Sequence, residues 1–477
     1  MLIKTSHLKR LTLRMLPFAD ATSAELPLGQ LLRLSLFQVS VGMAAVLLLG
    51  TLNRVMIVEL SVPAVIVALM ISIPVLIAPF RALLGFRSDN HRSAIGWKRI
   101  PYLWFGSLWQ FGGLAIMPMG LLVLSGDQSV GPSWAGEVGA SLAFLFTGLG
   151  MHMTQTAGLA LAADRASDEK RPRVVALLYV MYLLGMAVSA VIIGTLLSDF
   201  SPLRLVQVVQ AAAVVTLLLN LIALWKQEQV RPMSRQEREM PKPKFRDAWQ
   251  DLLQGGDAGR LLLVVFIGTV GFNMQDVLLE PYGGEILGLS VASTTVLTAI
   301  WAIGALVGFA LAAKLLKKEY DPHLIAALGL LMGLMAFAML ILSAPLQTAS
   351  LFFMGAFLIG FGNGLFGVST LTIAMTMPIS GSAGRGLALG AWGAAQATGA
   401  GLAIFFGGAI RDGINILALS GDLGQALASQ ATGYSIVYHT ELGLLFLTLI
   451  ALGPLVKRRP LQQSQTQKQM GLADFPT

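Results

Sequence analysis

The sequence predicts an all-α integral membrane protein of twelve transmembrane helices in two six-helix halves, and three observations carry that prediction. Hydrophobic residues make up 55% of the chain and charged residues only 12%, with a mean hydropathy of +0.72. A soluble core cannot hide that much apolar surface, so most of it faces lipid. Apolar runs long enough to meet the roughly 20 residues a bilayer requires recur from end to end. A long motif also occurs twice. Residues 148–173 and 360–385 each open on a glycine pair, Gly148/Gly150 and Gly360/Gly362, and each close on an arginine, Arg173 or Arg385, at the same offset. The stretches after the arginines, RVVALLYVMYLLGMA and RGLALGAWGAAQATGA, match in kind. Gly364 stands opposite His152, so the first copy has a histidine that the second lacks.

Residues 1–27 place Leu8, Leu11, Met15 and Phe18 at helical spacing among Lys9, Arg10 and Arg14. That pattern reads as a short amphipathic cytoplasmic segment lying on the membrane, or equally as a disordered basic tail. The first bundle, residues 28–225, holds six spans at about 28–57, 62–86, 100–124, 137–163, 174–197 and 203–225. Residues 226–260 turn polar and charged and contain Pro241 and Pro243, as expected of a linker between halves. Within them Phe245, Trp249, Leu252 and Leu253 share a helical face, which would lie along the membrane. The second bundle, residues 261–456, holds six more spans at about 261–282, 287–315, 323–344, 351–377, 386–410 and 434–456. A polar tail, residues 457–477, follows.

The net charge of +8 invites a nucleic-acid reading, but the basic residues sit in short loops between apolar spans. Anionic membrane lipid is the better partner, and no nucleic acid is expected. The chain has no cysteine, which excludes disulfides, iron–sulfur clusters and cysteine zinc sites. With an even number of spans both termini share a side. The loops on that side carry Arg87, Arg92, Lys98, Arg99, Arg165, Lys170, Arg171, Arg173, Lys314, Lys317 and Lys318. The opposite loops carry mainly acids, among them Asp127, Glu137, Asp199, Glu285, Asp412 and Asp422. The positive-inside rule therefore places both termini and the linker in the cytoplasm. Trp97 and Trp225 on one side and Trp134 on the other fit interfacial belts.

The duplication extends to ELSVPAVIVALM at 59–70 and GLSVASTTVLTAI at 288–300, each at the junction of the first and second spans of its half. Halves with even span counts have the same orientation, which is the arrangement of major facilitator transporters. The loop between the second and third spans resembles that superfamily's motif there, in Gly85, Asp89, Gly96, Trp97, Lys98 and Arg99, with an insertion after Asp89. The matching loop of the second half, residues 314–322, is shorter and has lost the glycine.

Five stretches then narrow the resemblance: TQTAGLALAAD at 154–164, RPRVVALLYVMYLLGM at 171–186, GFNMQDVLLEPYGGEILGLS at 271–290, LGTLNRVMIVEL at 49–60 and LPLGQLLRLSLFQVSVGM at 26–43. Together they resemble the PucC/LhaA family, the bacteriochlorophyll delivery branch of the major facilitator superfamily, over nearly the whole chain. The resemblance implies an assembly factor for light-harvesting complexes in the photosynthetic intracytoplasmic (inner) membrane of purple bacteria. It would handle bacteriochlorophyll or carotenoid near antenna polypeptides, with the reaction centre and the pigment-synthesis machinery as further partners. The opening segment leans toward the LhaA type, whose client is the core antenna. The resemblance supplies no catalytic residue and no pigment site.

The residues themselves offer two polar constellations. A bacteriochlorophyll magnesium takes one axial ligand, and neutral imidazole in an apolar setting supplies it. Of the five histidines only His152 sits deep in a span; Gln155, at i+3, would hydrogen-bond a macrocycle carbonyl. Alternatively, both are interhelical hydrogen-bonding groups. In the seventh span Gln275, Asp276 and Glu280 lie before Pro281, Gly283 and Gly284, where a helix would break. The two carboxylates, four apart on one helical face, would either relay protons or pair with Arg54 and hold the outer gate shut. Gly360 with Gly364 and Gly386 with Gly390 are small-xxx-small pairs, for tight internal packing or for docking an antenna helix. No zinc spacing, phosphate loop or catalytic triad is legible, so an enzyme is not expected. The rival function is a proton-coupled small-solute transporter using Asp276 or Glu280.

Overall fold

The computed structural model describes residues 26–77, 97, 99–124, 132, 134–166, 171–228, 257–376 and 385–456. The expected amphipathic N-terminal segment, the membrane-lying part of the linker and the polar tail lie outside the described residues. Among the described residues twelve long helical spans follow one another: α1 (Leu28–Glu59), α2 (Ala64–Ile77), α3 (Ile100–Leu124), α4 (Ala135–Arg165), α5 (Arg171–Leu196), α6 (Pro202–Leu224), α7 (Ala258–Glu285), α8 (Val291–Lys317), α9 (Pro322–Leu346), α10 (Ala349–Thr376), α11 (Arg385–Leu419) and α12 (Ala431–Leu452).

Ten of these regions are long and apolar enough to cross a membrane. The other two are informative. α2 is short within the described residues, and α4 is long but less apolar because it carries Thr147, His152, Thr154, Gln155 and Thr156. α11 and α7 both extend past their expected ends. α11 has 35 residues and continues past residue 410, because Arg411, Asp412 and Asn415 find partners on other helices that hold its last turns. α7 reaches Glu285 only by breaking: its first segment stops at Asn273, a 3-10 turn covers Met274–Val277, and helix resumes at Leu279. Pro281 falls in the first turn of that resumed helix, where a missing N–H costs little. α1 is likewise irregular, with π-helical turns at Val46–Thr51 and Val55–Glu59.

Packing repeats between the halves. α1 packs on α5 and α6, α3 on α4 and α6, and α2 on α4; in the second half α7 packs on α11 and α12, α9 on α10 and α12, and α8 on α10. The duplicated glycines do equivalent work at the residue level. A Cβ on Gly148 would strike Pro74 of α2, and one on Gly360 would strike the Trp301 carbonyl of α8. A Cβ on Gly150 would enter the backbone of α3 at Gly106 and Gln110; one on Gly362 would meet Gly329 and Gly333 of α9. Gly364 lies against the Ala305 carbonyl, 2.6 Å from where its Cβ would stand. The Gly360/Gly364 pair therefore serves internal packing and is not free to dock an antenna helix. The surroundings of Gly386 and Gly390 lie outside the described residues.

The halves meet along two seams, α2 with α11 and α5 with α8. Both involve the distal end, the end opposite the one that carries residues 26 and 456. There Gly408 packs on Ala64 and Ala68, and Gly194 on Ala292 and Val296. Small residues bring the backbones close enough for dispersion contacts to accumulate where no hydrophobic effect drives helix association.

Candidate functional site

At the terminal end, Trp97 and Arg99 are the described members of the loop motif; Gly85, Asp89, Gly96 and Lys98 lie outside the described residues. The Arg99 Nε donates to Asp164 Oδ2 of α4 at 2.9 Å. Glu228, just past α6, accepts the backbone N–H groups of Arg99 and Ile100 at 3.0 Å, placing a carboxylate where the first turn of α3 leaves donors free. Arg165 reaches Gln227 at 2.6 Å and Gln30 at 2.8 Å. Asp164 is 53% exposed, so its pair with Arg99 contributes at most about 1 kcal/mol. The network fixes the ends of α1, α3, α4 and α6 relative to one another.

Deeper in the first half a polar layer crosses the same helices. Ser40 Oγ of α1 lies 2.7 Å from Asn220 Oδ1 of α6, and Gln110 of α3 donates to the Ser40 carbonyl at 3.0 Å. Gln155 of α4 donates to Gln38 Oε1 of α1 at 3.4 Å, a long bond. His152 is half-buried on α4, and its carbonyl accepts from Thr156 at 2.7 Å. The structure thus places His152 and Gln155 on one helix beside α1. Gln155 serves as an interhelical group as it stands. Gln38 Nε2, Gln110 Oε1 and Thr154 Oγ1 are buried without a protein partner. An imidazole at membrane depth, in a layer that also holds unpartnered amide atoms of Gln38 and Gln110, fits a pigment that needs one axial ligand and carries ring carbonyls.

At the break in α7, side chains take over the backbone groups that the helix releases. Glu441 of α12, fully buried, accepts the Gln275 N–H at 2.8 Å. Gln275 Nε2 donates to the Phe272 carbonyl at 3.1 Å and to Asp276 Oδ1 at 2.5 Å. Asn53 of α1 donates to the carbonyls of Asp276 and Val277, both at 3.4 Å. Glu280 sits beyond the break, buried, and accepts from Thr298 of α8 at 2.5 Å. Gly50, in the π-helical part of α1, leaves the room that this carboxylate occupies.

Two expectations are corrected here. Asp276 and Glu280 do not sit on one continuous helix, because Asp276 lies in the 3-10 turn and Glu280 in the helix that resumes after it, and each takes a different partner. The Arg54 guanidinium acts electrostatically on the buried Glu280 carboxylate, but its close ion pair is with Glu59. Its Nη1 pairs with Glu59 Oε1 at 2.5 Å, and Nη2 donates to the Leu289 carbonyl at 3.3 Å. The π turn at Val55–Glu59 brings Glu59 round to the arginine, so the pair closes within α1.

A second network lies within the second half and reaches the first through Asp412. Arg411 of α11 donates to Glu285 of α7 at 2.5 Å and to Asp412 at 2.8 Å. Tyr434 of α12 donates its hydroxyl to Glu285 at 2.9 Å, and its ring lies under the guanidinium at 4.8 Å. Asp412 accepts the Val65 N–H at 2.7 Å, in the first turn of α2. Sequence reasoning missed Arg411 and Glu441. Glu441 was visible as a lone carboxylate in an apolar span, a standing functional signal in membrane proteins.

The comparisons agree with this architecture. Residues 51–460 match the family described as PUCC protein. The chain is 60% identical over 480 residues, the full length of both, to a Rhodobacter capsulatus protein named "Uncharacterized protein in puhA-bchM intergenic region". It is 55% identical over 408 residues to Protein PucC of Rhodovulum sulfidophilum, covering 84% of this chain and 89% of that one. Its fold is similar to the crystal structure of a D-xylose-proton symporter, with a TM-score of 0.64 at 16% identity, covering 88% of this chain and 96% of the other. That likeness is one of fold alone, the major facilitator type. This multi-pass membrane protein belongs to the PucC family.

Proposed function

We propose that this chain is an assembly factor for bacterial light-harvesting antenna complexes, with the core antenna around the reaction centre as its client. In this reading it binds or delivers bacteriochlorophyll, with carotenoid as a second pigment, to antenna polypeptides within the membrane. The observation that carries it is His152: α4 gives up hydropathy to keep an imidazole and the Gln155 amide at membrane depth inside a PucC-family fold, with unpartnered amide atoms of Gln38 on α1 and Gln110 on α3 in the same polar layer. His152 would hold the magnesium, and Gln155 with Gln38 would meet ring carbonyls. The bound group supplies the light-absorbing chemistry; the chain positions it and excludes water.

Antenna polypeptides are the partners this reading requires, with the reaction centre and pigment-synthesis machinery close by and anionic lipid against the basic loops. The loop charges support a bacterial inner, photosynthetic intracytoplasmic membrane location with both termini cytoplasmic. The chain acts as a binder and not as an enzyme.

The first test is the near-infrared absorption of protein purified in mild detergent from photosynthetic cells, wild type beside His152→Ala, with extracted pigments quantified. A bacteriochlorophyll band lost in the variant supports the reading. Protein that carries no pigment while retaining its antenna partner leaves only a scaffold role. The rival, a proton-coupled small-solute transporter, draws on Glu280 Oε2 and Glu441 Oε2, both buried without a protein partner. Solute counterflow in liposomes that is abolished by Glu280→Gln would favour it.

A further inference from the structure

We infer that His439, on the lipid-facing side of α12, is a second site that holds the metal of a tetrapyrrole through one imidazole nitrogen. His439 is exposed, and at a rise of 1.5 Å per residue it lies roughly 12 Å along α12 from Ala431. Its Nδ1 is 2.7 Å from the Ser435 carbonyl. A carbonyl only accepts, so Nδ1 carries the hydrogen and Nε2 presents its lone pair. That nitrogen has no hydrogen-bond partner among the described residues. An acceptor left bare toward hydrocarbon is costly and marks a functional position.

The surroundings select the occupant. Gly443, one turn further along the same face, is open: a Cβ there would meet nothing within 4 Å. Ile436 and Phe446, 40% and 57% exposed, border that opening, so a flat apolar shelf lies beside the imidazole. A free metal ion needs several protein donors. No group of three or more histidine or carboxylate side chains that could hold one exists among the described residues. A tetrapyrrole brings four nitrogens of its own, and one neutral imidazole completes its metal. The shelf then covers one face of the macrocycle. For its natural ligand, bacteriochlorophyll, the inference rests on the pigment-handling reading; it adds a position from which pigment passes sideways to an antenna helix without crossing the bundle.

The test is a titration of the full-length protein in lipid nanodiscs with zinc protoporphyrin IX, whose Soret band moves when a nitrogen binds the metal. Wild type, His439→Leu, Gly443→Leu and His152→Ala are compared, with thermal unfolding measured alongside. The expected result is a nitrogen-ligated band whose affinity falls at least about tenfold in His439→Leu. Gly443→Leu, which keeps the imidazole but fills the shelf, should also weaken it, and His152→Ala should leave that component in place. A His439→Leu titration that superimposes on wild type overturns the site. If such a protein still copurifies with bacteriochlorophyll, the pigment-handling reading stands without it. A His439-dependent band in a protein that never carries pigment from photosynthetic cells supports the site and removes that reading.

Discussion

The carboxylate of Glu441 accepts the backbone N–H of Gln275 at 2.8 Å, so a side chain on the last span completes the broken seventh. Glu441→Gln keeps an acceptor in place, whereas Glu441→Leu strands a buried N–H, at a cost of about 1–3 kcal/mol. Unfolding of the purified protein should therefore separate the two, with the leucine variant the less stable. Equal stability would mean that the break in α7 holds without Glu441.

Arg54 and Glu59 close an ion pair within α1, and Glu280 is held by Thr298. A double-mutant cycle on Arg54 and Glu59 should show a coupling of up to about 1 kcal/mol, since Glu59 is 38% exposed. The cycle on Arg54 and Glu280 should also show a coupling, because the guanidinium acts on that buried carboxylate. Additive effects there would confine the role of the arginine to Glu59.

Arg411 and Glu285 tie α11 to α7 from positions 11% and 15% exposed. Arg411→Met leaves Glu285 and Asp412 uncompensated and should cost about 3–5 kcal/mol. It should also loosen the distal end. Because the chain contains no cysteine, a single Leu289→Cys reports directly by thiol labelling in membranes. Labelling faster in the Arg411→Met background is expected; unchanged labelling would show that the seams hold the distal end without this network.

The duplicated glycines predict matched sensitivities. Gly150→Leu and Gly362→Leu both drive a side chain into a neighbouring backbone and should abolish folded yield in detergent, whereas Gly367→Leu, with open space at its Cβ, should be tolerated. Size-exclusion profiles after membrane extraction decide this, and a monodisperse Gly150→Leu protein would contradict the shared packing role.

By itself the sequence determined the fold class, the order of spans and the internal repeat. Membrane spans announce themselves through length and hydropathy, and a duplication through identical spacing, neither of which requires distant contacts. His152, Arg54, Gln275, Asp276 and Glu280 were legible as polar groups in apolar runs for the same reason. Only the tertiary structure decided their partners. Helical periodicity assumed an unbroken α7 and an unbroken α1, but Asp276 lies in a 3-10 turn and Glu280 in the helix resumed after it, and the π turns bring Glu59 to Arg54. Arg411 with Glu285 and Glu441 with Gln275 join residues more than 100 positions apart. Whether His439 faces protein or lipid likewise depends on which side of α12 packs on α7 and α9. Those pairings follow from helix approach, set by small residues on facing helices, and no local pattern encodes them.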